Sequence, residues 1–109
     1  MERPLISVIY CLYKEKIEWI RQSVESILNQ TYGLFEFIII CDNPDYQSAV
    51  DLLKEYSSAD PRIRLIVNEE NIGITRSLNK GLELAKGGLV ARMDADDIAL
   101  PERFEKQVD

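Results

Sequence analysis

A strict alternation restricts this chain most: short, β-branched apolar runs are separated by longer stretches whose apolar residues fall at helical spacing. Leu5-Ile6-Ser7-Val8-Ile9-Tyr10, Phe35 to Cys41, Ile63 to Val67 and Leu89 to Met93 read as strands. Their nearly unbroken hydrophobicity fits strands buried on both faces. Lys16 to Asn29 carries Ile17, Ile20, Val24, Ile27 and Leu28 at a helical repeat. Tyr46, Ala49, Val50, Leu53 and Tyr56 mark a second amphipathic helix, which stops near Ser57 to Pro61. A third follows Asn68 to Gly73, with Ile74, Leu78, Leu82 and Ala85 on one side and Gly87-Gly88 as its stop. Pro101 suits the first turn of a last helix. The order β-α-β-α-β-α-β-α predicts an α/β fold, with right-handed crossovers and a mainly parallel sheet carrying helices on both faces. The 109 residues contain no linker-like stretch and no charge block, so residues 1–109 read as a single domain.

Composition removes several function classes. Thirteen basic against nineteen acidic residues give a net charge of −6, a poor footprint for nucleic acid or anionic lipid. No run of apolar residues is long enough to span a bilayer. Met1-Glu2-Arg3-Pro4 lacks the apolar core of a signal peptide, so the expected compartment is the cytoplasm. Cys11 and Cys41 end apolar runs, where reduced, buried thiols are expected. The chain has no histidine, which excludes a Ser-His-Asp triad, a Cys-His pair and any His-ligated zinc site within it.

Open parallel sheets bind ligands beyond the carboxyl ends of their strands. The residues there are Cys11 to Lys14, Asp42-Asn43, Asn68 to Asn71 and Asp94-Ala95-Asp96-Asp97. Three carboxylates within the last four residues repel one another unless a cation joins them, and Mg²⁺ or Mn²⁺ takes such hard oxygen ligands. The alternative is that Asp96 or Asp97 caps the helix entered at Pro101 while Asp94 ends the strand. Ile98 and Ala99 stand where an EF-hand needs a ligand and a glycine, which rejects that motif. Asp42 can accept hydrogen bonds from a ligand, or form an Asx-turn with Asn43-Pro44. The Tyr13 ring can stack on a flat base, or pack at the helix entry. Asn71-Ile72-Gly73 offers amides and Arg76 a guanidinium to a phosphate; a solvated surface charge is the alternative for Arg76. Asn29-Gln30-Thr31 matches a glycosylation sequon, expected to be unused in a cytoplasmic chain. Neither G-x-G-x-x-G after the first strand nor G-x-x-x-x-G-K-[ST] anywhere is present, which counts against dinucleotide oxidoreductases and P-loop NTPases.

The order of motifs resembles the nucleotide-binding half of a GT-A glycosyltransferase, of the large inverting family 2. The likeness is carried by Ile6 to Tyr10 running into Tyr13, Ser23 to Tyr32, Phe35 to Asp42, and Asp60-Pro61-Arg62-Ile63-Arg64. It continues through Asn71-Ile72-Gly73, Arg76 to Gly81, and Met93 to Asp97 before Leu100-Pro101. The resemblance implies a Rossmann-like half-domain and a nucleotide-diphosphate sugar donor, transferred to a saccharide or lipid-linked acceptor in polysaccharide or cell-envelope biosynthesis. It further implies donor contacts at Cys11, Tyr13, Asp42, Asn71, Arg76 and Asp94, with Asp96 and Asp94 on Mg²⁺ or Mn²⁺. In that implied set Tyr13 borders the base, Asp42 hydrogen-bonds it, and Arg76 lies near the diphosphate or ribose. Two departures distinguish the chain: Cys11-Leu12-Tyr13-Lys14 replaces the frequent Pro-Thr-Tyr-Asn, and Cys41-Asp42-Asn43-Pro44 replaces Asp-Asp-Gly-Ser.

The family's general base lies in the second half of its domain, so no catalytic base is expected before Asp109. The chain therefore reads as a truncated, donor-binding fragment, inactive alone and acting in the cytoplasm or at the inner face of the membrane. An uncovered apolar edge is expected to make it self-associate. A sugar-nucleotide nucleotidyltransferase would carry a glycine- and Arg/Lys-rich loop where Cys11 to Lys14 stands. A non-catalytic, Mg²⁺-binding receiver-like module would carry an acidic pair after the first strand and an aspartate in place of Asn68-Glu69.

Overall fold

A computed structural model describes residues 3–108; Met1, Glu2 and Asp109, and with them part of the leader reading and the chain end, lie outside the described residues. The elements are β1 (Ile6–Leu12), α1 (Ile17–Leu28), β2 (Phe35–Cys41), α2 (Gln47–Ala59), β3 (Ile63–Val67), α3 (Ile74–Leu84), β4 (Leu89–Asp94) and α4 (Arg103–Val108). The four strands form one sheet in the order β3-β2-β1-β4, and every pairing is parallel. The sheet order reverses between β1 and β4, which is where ligands of such sheets bind.

Alternate residues of β1 leave by opposite faces. Ile6, Val8, Tyr10 and Leu12 enter the larger core, which α1, α2 and α4 cover with Ile20, Val24, Ile27, Leu53 and Phe104 among others. Each such side chain contributes about 2 kcal/mol by leaving water. Ile9 and Cys11 emerge on the other face with Ile38 and Ile40, where Leu78, Leu84 and Ala85 pack on them. The two cysteines thus belong to opposite faces of the sheet and are both free thiols, as expected.

Five boundaries or faces differ from the sequence reading. β1 runs on to Leu12 because Cys11 and Leu12 pair with Ile40 and Cys41 in β2, so they are strand residues rather than rim residues. β4 likewise takes in Asp94, paired with Cys11. The last helix begins at Arg103 instead of Pro101, which lies in the turn before it. The largest correction concerns α3, where Ile74 and Leu82 are 53% and 50% exposed while Ser77 and Gly81 are buried. A Cβ on Gly81 would stand 2.7 Å from Ile9 Cγ2, so the helix seats on the isoleucine-filled sheet through its small residues. Gly87 is not the stop of α3, which ends at Leu84; a Cβ there would lie 2.5 Å from the Leu5 carbonyl oxygen. No helix among the described residues is long and apolar enough to cross a membrane.

Candidate functional site

At the carboxyl end of the sheet, β1, β2 and the start of α3 enclose a hollow of about 250 Å³. Cys11, Tyr13, Asp42 and Asn71 line it, together with Glu15 and Ser77. Four of the residues singled out in the sequence therefore converge. Tyr13 is 43% exposed at the mouth, with its backbone amide donating to Glu15 Oε1 at 2.7 Å. Its ring is available to stack on a flat ligand. Burial above all pushes the Cys11 thiol up to about 11; Arg92 opposes this, and Asp94 and Asp42 add to it. Cys11 is thus a neutral wall of the hollow rather than a nucleophile.

Asp42 is buried, and its carboxylate is fully engaged. Oδ1 accepts from Asn68 Nδ2 at 2.8 Å and the Ile72 amide at 2.9 Å, while Oδ2 accepts from Asn71 Nδ2 at 2.7 Å and the Gly73 amide at 2.9 Å. A carboxylate has about four lone-pair directions, and here each has a protein donor. The charge also sits at the N-terminal end of α3, where the helix dipole favours it. Asp42 thus spends its acceptors within the protein, so that a ligand contact there requires one of these donors to leave, and the Ile72 and Gly73 amides are engaged by Asp42. Gly73 has φ 90°, a left-handed conformation that lets the chain turn into α3. Arg76 lies exposed one turn into α3, has no hydrogen-bond or ion-pair partner among the described residues, and does not line the hollow.

The acidic turn begins where β4 ends. Carboxylate oxygens of Asp94, Asp96 and Asp97 lie within 4.8 Å of one another. An octahedral Mg²⁺ with bonds of about 2.1 Å spans oxygen separations of about 3–4 Å, so small side-chain rotations suffice and the hard oxygen set fits the ion. The turn is closed by the Asp97 amide on the Asp94 carbonyl at 3.0 Å, and Asp97 Oδ2 accepts from the Asp94 amide at 3.3 Å. Asp97 thus braces its own turn rather than capping α4. Arg92 Nε pairs with Asp94 Oδ1 at 3.3 Å, an exposed contact of little energy. Ala95 points inward and is buried, which leaves its neighbours Asp94 and Asp96 outside the core. Cys11 joins the two features: it lines the hollow and is the ladder partner of Asp94.

Glu15 went unremarked in the sequence, and Ser77 entered only as part of the stretch Arg76 to Gly81, without a role of its own. Ser77 sits one turn into α3 and accepts from Asn68 Nδ2 at 3.1 Å, so it supports the same loop as Asp42. Its sequence signals are a small polar residue four positions after Gly73 and a place within the stretch Arg76 to Gly81.

This architecture is that of GT-A glycosyltransferases. The mannosyltransferase PcManGT from Pyrobaculum calidifontis, solved in complex with GDP-Man and Mn²⁺, superposes with a TM-score of 0.78 at 26% identity, over 98% of this chain and 31% of that one. TarS 1-349 of S. aureus, in complex with UDP-GlcNAc, shares the fold with a TM-score of 0.81 at 23% identity, over 94% and 29% of the two chains. The sequence model of Glycosyl transferase family 2 matches residues 7–109, and the chain belongs to that family. An uncharacterized glycosyltransferase of Methanocaldococcus jannaschii is 48% identical over 107 residues, 98% of this chain and 37% of the relative. The amylovoran biosynthesis glycosyltransferase AmsE of Erwinia amylovora is 40% identical over 105 residues, 95% of this chain and 39% of the relative. The chain thus spans less than two-fifths of the length of these relatives.

Proposed function

We propose that this chain is the donor-binding part of an inverting family 2 glycosyltransferase of polysaccharide or cell-envelope biosynthesis, and that it takes a nucleotide-diphosphate sugar. The observation that carries the reading is the Cys11–Asp94 ladder pair, which sets a base-sized hollow beside a three-carboxylate turn at the switch point of the sheet. Tyr13 stacks on the base. Asn71, an exposed side chain among the four donors to Asp42, yields its place so that Asp42 receives a base N–H instead. Asp94 reaches the ribose and sugar side, and Asp96 with Asp94 holds Mg²⁺ or Mn²⁺. The chemistry such an ion supplies is neutralisation of the charge that builds on the departing nucleoside diphosphate. Arg76 meets the diphosphate by swinging from the exposed face of α3.

The acceptor is a saccharide or a lipid-linked saccharide, and residues 1–109 supply the donor side of the transfer. A lipid-linked acceptor would put the work in the cytoplasm, at the inner face of the membrane. The uncovered edge at β4 is proposed as a surface through which this chain self-associates. Titration calorimetry of UDP, GDP and dTDP, with and without Mn²⁺, tests the site. One nucleotide is expected to bind in a metal-dependent way, weakened at least about tenfold in Asp96→Ala. Absence of binding by every nucleotide, or an unchanged Asp96→Ala variant, would overturn the reading.

A further inference from the structure

Between β4 and α4 the chain has no regular secondary structure, so its backbone polar groups need partners from elsewhere. One face of α1 and the residues just after it supply them. Ser23 Oγ reaches the Ala95 carbonyl at 3.1 Å, and Ser26 Oγ accepts from the Ala99 amide at 3.0 Å. Gln30 is bidentate: Nε2 donates to the Leu100 carbonyl at 2.7 Å and Oε1 accepts from the Phe104 amide at 3.0 Å. The Thr31 amide adds a bond to the Pro101 carbonyl at 2.8 Å. Residues 23, 26 and 30 share one face of a helical repeat, beside the apolar positions Val24 and Ile27 that enter the core.

Ser23 is 0% and Gln30 7% exposed. Polar side chains at such depth are costly unless paired, and each is paired with the segment after β4. Ser23 Oγ has the Ile20 and Ala95 carbonyls as acceptors at 3.1 Å. The Tyr10 hydroxyl lies 2.5 Å from Ser23 Oγ, a hydrogen bond that either group can donate. Burial drives the Tyr10 phenol well above its usual range and keeps it a neutral hydroxyl. The chain Tyr10–Ser23–Ala95 runs from the core of β1 to the residue between Asp94 and Asp96. Ala95 and Ala99 also sink their methyl groups into the core, pinning the same segment from below.

We infer that Tyr10, Ser23, Ser26 and Gln30 are positioning residues for the metal-binding carboxylates, holding the turn that carries Asp94 and Asp96 in its binding geometry before any ion arrives. This deepens the donor-and-metal reading above and rests on it. An ion that meets a preformed turn loses less affinity to ordering the chain.

The test compares Ser23→Ala, Ser26→Ala and Gln30→Leu with wild type and with Val24→Ala, a core truncation on the same helix. Mn²⁺ affinity is read from the paramagnetic resonance signal of the free ion, and amide exchange over residues 94–100 is measured in metal-free protein. The three polar variants are expected to lose about tenfold in Mn²⁺ affinity and to exchange faster over that segment. Val24→Ala is expected to lower the melting temperature with Mn²⁺ affinity kept. Ser26→Ala, at a half-buried site, guards against the possibility that the deeper variants do not fold. Folded polar variants that bind Mn²⁺ as wild type does, while Asp96→Ala does not, would overturn the positioning inference alone. A wild-type protein that takes no Mn²⁺ would overturn both readings.

Discussion

At Asp42 one buried carboxylate gathers donors from Asn68, Asn71, Ile72 and Gly73, 26 to 31 residues further along the chain. Replacing it by alanine takes the acceptor from the half-buried Ile72 and Gly73 amides and from the buried Asn68, and hydrogen bonds to a charged group are the expensive ones to lose. Asp42→Ala is expected to cost about 3 kcal/mol, read from the urea midpoint. An unchanged midpoint would mean that the loop before α3 holds its shape without the carboxylate. The sequence marks Asp42 as special, since an aspartate ends an oily strand. It marks it as a ligand contact, because partners from a distant loop leave no trace in a local pattern.

At the scale of elements, the opposite end of the sheet is tied by Glu36 in β2. Its Oε2 accepts from Ser7 Oγ in β1 and from the Lys86 amide, both at 2.6 Å, and the Gly87 amide donates to Ser7 Oγ at 2.8 Å. Partial burial pushes the Glu36 carboxyl up, but the bonds from Ser7 and Lys86, with Arg64 and Lys86 nearby, together hold it below its ordinary 4.5. A folded-state value below the unfolded one gives stability that is present above 4.5 and drains away as pH falls through the folded value. Asp60, drawn below its ordinary 3.8 by Arg62, acts with the same sign. The urea midpoint is therefore expected to fall below about pH 4.5, and Glu36→Gln to blunt that fall. Parallel profiles for wild type and variant would remove Glu36 from the account. Strand Phe35–Cys41 was legible to the residue because its run is apolar and bounded. The face of α3 was legible only in part: Leu78 and Ala85 pack on the sheet, while Ile74 and Leu82 are exposed, because the sheet already supplies the bulk and the helix needed Ser77 and Gly81 against it.

For the whole molecule, the strand order leaves β4 at an edge, with Leu89 and Val90 38% and 51% exposed; in the segment that follows the strand Ile98 and Leu100 are 64% and 71% exposed. Unpaired edges flanked by apolar side chains recruit further chains. Sedimentation velocity is expected to give a weight-average coefficient that rises with concentration, and Val90→Lys to return the chain toward monomer. A strictly monomeric, concentration-independent profile would count against that surface.

Hydrophobic period is a local property, and it determined the alternation of strands and helices and the α/β class of the fold; the acidic turn after the last strand is read from the residue types themselves. The order β3-β2-β1-β4 belongs to the tertiary structure. It alone set Asp94 beside Cys11 and brought Ser23 and Gln30 to groups 72 and 74 residues away. The reason is physical: a buried donor or acceptor takes whichever partner the packed sheet brings within hydrogen-bond reach, and that choice is made only when the layers close.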